Sequence, residues 1–260
     1  MKKQFYMGFW NYLNAGSRDP ELLAEEWQDL GMNLAMSSFY DPDKCSFNMF
    51  NKELLSAKEK GISVILCDKR AHWTSLRDGN EQSYRKGIIE IKNDLAGDNS
   101  VIALNICDEP TTDEIPKVIK AAIIVREILP DKFAYINFFP YWGADFFDKM
   151  HVLGKDYSNF IADVCLKTGM PIVSYDCYRQ CAIYNTEAGL DLYFQNLNLF
   201  KKAAEKIGIP LWTSLLSVGH WDFRVPTADD FRWQLSTAAA HGCTGVVWFY
   251  IYARFKVPSF

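Results

Sequence analysis

Residues 101–107, "VIALNIC", form an uncharged and largely apolar run that stops on two adjacent acids, Asp108 and Glu109, followed by Pro110. As plain surface charge such a pair needs little explanation, since acids near the start of a helix are favoured by its dipole alone. At the mouth of a buried strand, packed against aromatic rings, a carboxyl group has another use. Desolvation raises its pKa, so it can hold a proton at neutral pH and deliver it to a poor leaving group. Glu109 is the leading candidate for that general acid. Asp108 would add like-charge pressure or orient a substrate group. Asp176, which ends "PIVSYD", is the candidate second carboxylate. As an attacking group it should stand ~5–5.5 Å from the acid, and as a base acting through water ~6.5–9.5 Å. The competing reading of Asp176 is an ion pair with Lys69 or Arg179 in a strand-end turn.

The remaining residues at the ends of apolar runs are amides, histidines and large aromatics: Trp10 and Asn11, His72 and Trp73, Asn137 and Tyr141, Tyr175 and Tyr178, His220 and Trp221, Trp248 and Tyr250. Aromatic faces stack on the C–H faces of sugar rings, and carboxylates and amides hydrogen-bond the hydroxyls, so this mixture suits a carbohydrate ligand. Each has a packing alternative. His220 and His72 could be surface loop histidines beside a packing Trp, and Asn137 could satisfy an internal hydrogen bond. Lys69 with His72 leaves a lyase as a weaker option. No GxSxG elbow is present, and "GFWNYL" lacks the HxH of metal-dependent hydrolase barrels.

The elements that would position these groups follow from an alternation of apolar runs and helical periods. Strand-like runs fall at 5–10, 32–39, 62–67, 101–107, 133–139, 171–176, 210–216 and 245–252. Most are continuously apolar, as in a parallel sheet covered by helices. Helical stretches lie at 19–31, 51–61, 83–97, 112–129, 157–169, 190–208 and 227–242. Asp19 and Thr227 read as N-caps, Pro20 as a first helical residue, and Gly31, Gly61, Gly169 and Gly208 as stops. Trp27 and Trp233 read as core. Eight strands and seven helices predict an α/β chain folded as a (β/α)8 TIM barrel, possibly lacking the eighth helix because few residues follow the last strand. In such a barrel the loops after the strands carry the site, where the candidates cluster. A doubly wound sheet would show a glycine-rich phosphate turn after strand one, which "GFWNYLNAG" is not. No linker or low-complexity tract interrupts 1–260, so one domain is expected.

The bulk numbers add limits. Hydrophobic residues make up 49% and charged residues 23% of the chain, an ordinary globular composition. A net charge of −4 gives no reason to expect a nucleic-acid partner. No run of ~18 apolar residues exists, so no membrane partner is expected. The seven cysteines are scattered with no CxxC pair, so neither a metal site nor another cofactor is expected, and a reducing compartment suits them. A cytoplasmic location is favoured by those thiols and by the absence of a signal peptide, with an exported form if a leader has been trimmed. An uncovered flank between strands eight and one would call for a homo-oligomer or a further C-terminal partner domain.

"ICDEP" resembles the Asn-Glu-Pro signature of the large clan of retaining (β/α)8 glycoside hydrolases, and "GVVWFYIY" resembles that clan's eighth strand. "PIVSYDCY" and "PTADDFRWQLSTAAAHGCTGVVWFY" look like uncharacterised β-galactosidase-like barrels of bacterial polysaccharide-degrading systems. The resemblance implies Glu109 as acid/base and Trp248 as the floor of a sugar subsite. It also implies a carboxylate ending strand seven, where "PLWTSLLSVGHW" has none. Two substitutes remain. Asp176 could be the partner, or the substrate's own 2-acetamido group could attack, as in N-acetylhexosaminidases and chitinase-type barrels, to which the Asp108–Glu109 pair and "SYD" are similar. In that case Asp108, Tyr175 and Asp176 would orient the acetamido group. The expected function is therefore hydrolysis of a glycosidic bond in an oligo- or polysaccharide. The alternative is a carbohydrate-binding barrel that has lost catalysis.

Overall fold

The computed structural model describes residues 4–143, 157–184 and 186–252. Eight strands alternate with helices in chain order: β1 (Tyr6–Phe9), α1 (Pro20–Asp29), β2 (Leu34–Met36), α2 (Phe47–Glu59), β3 (Ser63–Leu66), α3 (Thr74–Asp78), α4 (Glu81–Leu95), β4 (Val101–Asp108), α5 (Ile115–Ile128), β5 (Phe133–Asn137), α6 (Tyr157–Thr168), β6 (Val173–Asp176), α7 (Thr186–Ile207), β7 (Leu211–Leu216), α8 (Ala228–Ala240) and β8 (Cys243–Phe249). All eight expected strands form, and β2, β3, β6, β7 and β8 pair in parallel. The absent eighth helix expected from sequence concerns residues 253–260, which lie outside the described residues.

Local signals act where the sequence placed them. The Asp19 side chain accepts from the backbone N–H groups of Glu21 and Leu22, and Pro20 opens α1. Thr227 and Asp230 form a reciprocal capping box at α8. Gly61 and Gly208 end their helices at φ +69° and +70°, a left-handed turn that costs glycine little. The five-residue helix α3, in the loop after β3, was not expected. Its apolar content is too short to show a period. Among the described residues no helix is long and apolar enough to cross a membrane.

The chain gathers into two compact units. One comprises Tyr6–Ile106, Ala121–Tyr135 and Tyr250–Phe260. In it β1 meets β2 through the Asn33 side chain, which accepts from Met7 N–H, and through Asn33 N–H, which donates to Met7 O. The sheet continues in the order β2-β3-β4-β5. The other unit comprises Met1–Phe5, Cys107–Lys120 and Ile136–Phe249. In it the order is β6-β7-β8, and Phe138, just past β5, bridges Tyr175 of β6.

The register of that second unit fixes which side chains share a face. Directly paired residues of parallel strands point the same way. Ser174, Trp212 and Gly245 therefore form one row, Asp176, Ser214 and Val247 the next, and Leu216 and Phe249 a third. Trp212 can sit in the first row because Gly245 has no side chain. A Cβ there would come within 2.7 Å of the indole.

Candidate active site

The carboxyls of the second unit converge on one amide. Asn137, at the end of β5 and 2% exposed, donates from Nδ2 to Asp176 Oδ1 at 2.7 Å and to Asp108 Oδ1 at 3.1 Å. Its Oδ1 accepts from Ser174 Oγ at 3.4 Å. Asp176 also acts on the neighbouring Glu109 carboxyl, and Glu109 N–H donates to Asn137 O at 2.8 Å. Asp108, Glu109 and Asp176, from the ends of β4 and β6, thus gather around Asn137 of β5.

A backbone irregularity makes this possible. Successive residues of a strand point to opposite faces, so Asp108 and Glu109 in regular continuation of β4 could not both join the set. Glu109 instead adopts φ +44°, while its N–H still donates to Asn137 O at 2.8 Å. The ladder is kept and the alternation is broken. A left-handed non-glycine residue is uncommon and costs of order 1–3 kcal/mol, a strain typical of functional positions.

The electrostatics favour retained protons. Burial, helped by the Asp108 charge and opposed by the hydrogen bond from Asp176, pushes the Glu109 carboxyl up to about 8. Burial, followed by the charges of Glu109 and Asp108, raises Asp176 well above the usual carboxylate range, and the Asn137 hydrogen bond opposes this. Among the described residues neither acid pairs with a base: Arg179 pairs with Asp222 at 3.3 Å, and Lys69 pairs with Asp41 at 3.0 Å and Asp43 at 2.8 Å. The ion-pair alternative for Asp176 is excluded. Lys69, held between two carboxylates that raise its pKa, is no free amine for lyase chemistry.

Tyr157, at the start of α6, is the residue that sequence reading missed. It is buried, donates to Phe139 O, and has its hydroxyl raised by burial and then by the charges of Asp176 and Glu109. Its ring lies 6.1 Å from that of Tyr141, whose backbone is held by the Asn196 side chain. A helical Tyr gives no hint in sequence that it backs an acid pair from outside the strands.

Two expected sugar contacts face away from the strand rows that carry Asp176. Tyr175 is fully buried and stacks on Phe200 of α7, with centroids 3.8 Å apart. Trp248, 8% exposed, packs on Phe231 of α8 at 5.2 Å. Strand alternation turns both toward covering helices, so neither orients nor floors a ligand on the Asp176 face. The β8 residue on that face is Phe249, which stacks on Tyr178 at 5.2 Å and meets His220 edge-on at 4.9 Å. Tyr178 belongs to a buried apolar cluster with Cys181, Ala182, Leu216 and Phe223, against which Trp142 also packs. Leu216 occupies the end of β7, so the structure leaves the strand-seven acid position apolar. Gln234 of α8 clamps this strand end, accepting from Leu216 N–H at 3.0 Å and donating to Leu216 O at 3.1 Å. Trp221 stands 85% exposed at φ +53° in the turn between His220 and Phe223.

The other candidates lie in the first unit. Trp10 is 6.4 Å from Tyr135, edge-on, and Tyr250 is 5.2 Å from Tyr12. Asn11 donates to Ser38 Oγ at 3.4 Å and accepts from Leu13 N–H at 2.9 Å. His72 Nδ1 bonds Thr74 Oγ1 at 2.8 Å, and Trp73 is buried beneath the Arg77 guanidinium. Behind Ser38 lies Glu53 of α2, buried, accepting from Ser38 N–H at 2.7 Å and pushed up to about 7 by burial. All seven cysteines are free thiols. Among the described residues no group of three or more His, Cys, Asp or Glu side chains is arranged to hold a metal ion.

No protein-family model matches the sequence, and no curated protein matches it. Solved structures do. A Bacteroides thetaiotaomicron protein assigned as an alpha-L-fucosidase superposes with TM-score 0.65 at 14% identity, covering 96% of this chain and 86% of its own. The catalytic domain of a Pyrococcus furiosus chitinase gives 0.64 at 14%, covering 95% and 84%. A Thermobacillus composti xylanase of glycoside hydrolase family 10 gives 0.56 at 13%, covering 96% and 85%. With the parallel strand–helix alternation, these likenesses define the class: the chain has the (β/α)8 barrel fold on which these glycoside hydrolases are built.

Proposed function

We propose that the protein is a single-domain glycosidase cleaving a glycosidic bond in an oligo- or polysaccharide, with Glu109 as the proton donor. The observation that carries this reading is the Glu109–Asp176 pair: two neighbouring carboxyls at the ends of β4 and β6, Asp176 buried and Glu109 half-buried, both raised above the usual range chiefly by burial. A glycosidic oxygen leaves only as it is protonated, and an acid that keeps its proton through neutral pH suits that task.

The state of Asp176 refines its role. An attacking carboxylate or a water-activating base must be ionised when it acts. Burial and the charges of Glu109 and Asp108 hold Asp176 well above the usual carboxylate range, which suits a protonated neighbour better than either of those tasks. Asp176 therefore shares and returns the Glu109 proton, and the attacking atom is the substrate's own 2-acetamido oxygen. The substrate class is a 2-acetamido-2-deoxy sugar glycoside, with Asp108, exposed at the end of β4, as the residue that orients its acetamido group.

The test is turnover of aryl glycosides with and without a 2-acetamido group. Wild type should cleave the N-acetylated series and lose activity as pH rises through about 8, where Glu109 ionises. Glu109→Gln should reduce kcat by 10²-fold or more while sugar binding persists. Unchanged turnover in Glu109→Gln would sink the assignment. Binding without turnover by the wild type would favour the carbohydrate-binding alternative, which the apolar end of β7 supports.

A further inference from the structure

We infer that Asn137 is a positioning residue for the acid set, not a sugar ligand: its one amide fixes Asp108 and Asp176 in relation to each other and so presents the free face of Asp176 to Glu109. The inference rests on the glycosidase reading for its kinetic consequences but not for its structural content.

The geometry leaves Asn137 little else to do. Both donors of its amide are committed, to Asp176 Oδ1 at 2.7 Å and Asp108 Oδ1 at 3.1 Å. The two carboxyl oxygens call for the NH2 end of the amide and so fix its orientation, which leaves Oδ1 to accept from Ser174 Oγ at 3.4 Å. Its backbone carbonyl is taken by Glu109 N–H at 2.8 Å. Asn137 thus touches every acid of the set, through side chain or main chain, and is almost wholly buried.

A neutral amide that donates to two carboxylate oxygens favours their unprotonated form. Any proton on Asp176 is thereby directed to Oδ2. A proton exchanged with Glu109 would then pass through Asp176 Oδ2, the oxygen that Asn137 leaves open. Besides Asn137, the groups bearing on Asp176 are Glu109 and Asp108 from β4, Tyr157 from α6 and the adjacent Cys177 thiol. None of these is a cation, so Asn137, together with a backbone hydrogen bond at Asp176 itself, counters their effect.

The test combines carboxyl NMR with kinetics. In wild-type protein carrying 13C-labelled aspartate and 15N-labelled asparagine, the Asn137 side-chain amide should shift in step with the Asp176 titration, which needs no variant. In Asn137→Ala the Asp176 titration should move to higher pH by about one unit. Because Glu109 and Asp176 titrate as an interacting pair, the alkaline limb of kcat on an N-acetylated aryl glycoside should move as well, and kcat should fall by about 100-fold with little change in KM. Asn137→Ser, which keeps one donor, should recover part of both. An amide signal that ignores the Asp176 titration would overturn the inference, as would an Asn137→Ala variant that loses activity with the pH profile unmoved. If the wild type turns over no glycoside, the glycosidase reading fails, while the NMR titration still decides the role of Asn137.

Discussion

Glu109 joins three properties that seldom coincide in one residue: a left-handed backbone, a carboxyl pushed up to about 8, and a second acid beside it. The backbone is strained in either protonation state, and burial with the Asp108 charge disfavours the ionised carboxyl, so the residue is held there at a cost in stability. The sign of that cost is fixed by linkage. A carboxyl raised from 4.5 to about 8 contributes fully below 4.5, and its contribution is lost as pH rises through about 8. Glu109→Gln keeps the shape and cannot ionise. Its melting temperature should therefore exceed that of the wild type, with a gain that is small at pH 5 and grows to roughly 1–3 kcal/mol at pH 8, after allowing for partial exposure. A variant less stable than wild type at both pH values would show that the charge penalty at this position is absent.

Among the elements, β8 shows how a strand can serve the site without contributing the residue that its sequence advertises. "GVVWFYIY" draws attention to Trp248, yet alternation gives that ring to α8 and leaves Phe249 on the Asp176 face. The same alternation gives Tyr175 to α7 and keeps Asp176. Gly245 matters for the opposite reason, since its missing side chain admits Trp212. Gly245→Ala should destabilise the fold by about 1–3 kcal/mol through overpacking, measured by urea unfolding. A neutral result would mean that the indole repacks freely. The expected strands were legible because buried parallel strands are continuously apolar. That signal marks a strand but not which of its faces is which, so the facing of Tyr175 and Trp248 could not be read from it.

For the whole molecule, buried acids set the pH response of stability. Glu53, raised to about 7, and Glu109, raised to about 8, both lose their contribution as pH climbs from 4.5. Asp41, Asp98 and Asp230 have lowered pKa values and contribute above their ordinary value of 3.8, losing that contribution as pH falls. Stability should peak at about pH 4–5, near the ordinary values of these two groups of acids, and decline toward pH 8. Glu53→Gln should flatten that decline in urea titrations run across the range. A wild-type profile that rises from pH 6 to 8 would contradict the burial of these acids.

The sequence by itself determined the strand–helix alternation, the caps of α1 and α8, the barrel class and the prominence of Glu109, because apolar periodicity and capping chemistry are local. It also showed that strand seven ends without an acid. Only the tertiary structure decided that Asp176 meets Glu109, that one amide from β5 holds the acids together, and that Tyr157 backs them from a helix. Those relations join residues up to 67 positions apart, from Glu109 to Asp176. They depend on strand register and on a single left-handed residue, neither of which leaves a local trace in composition or spacing.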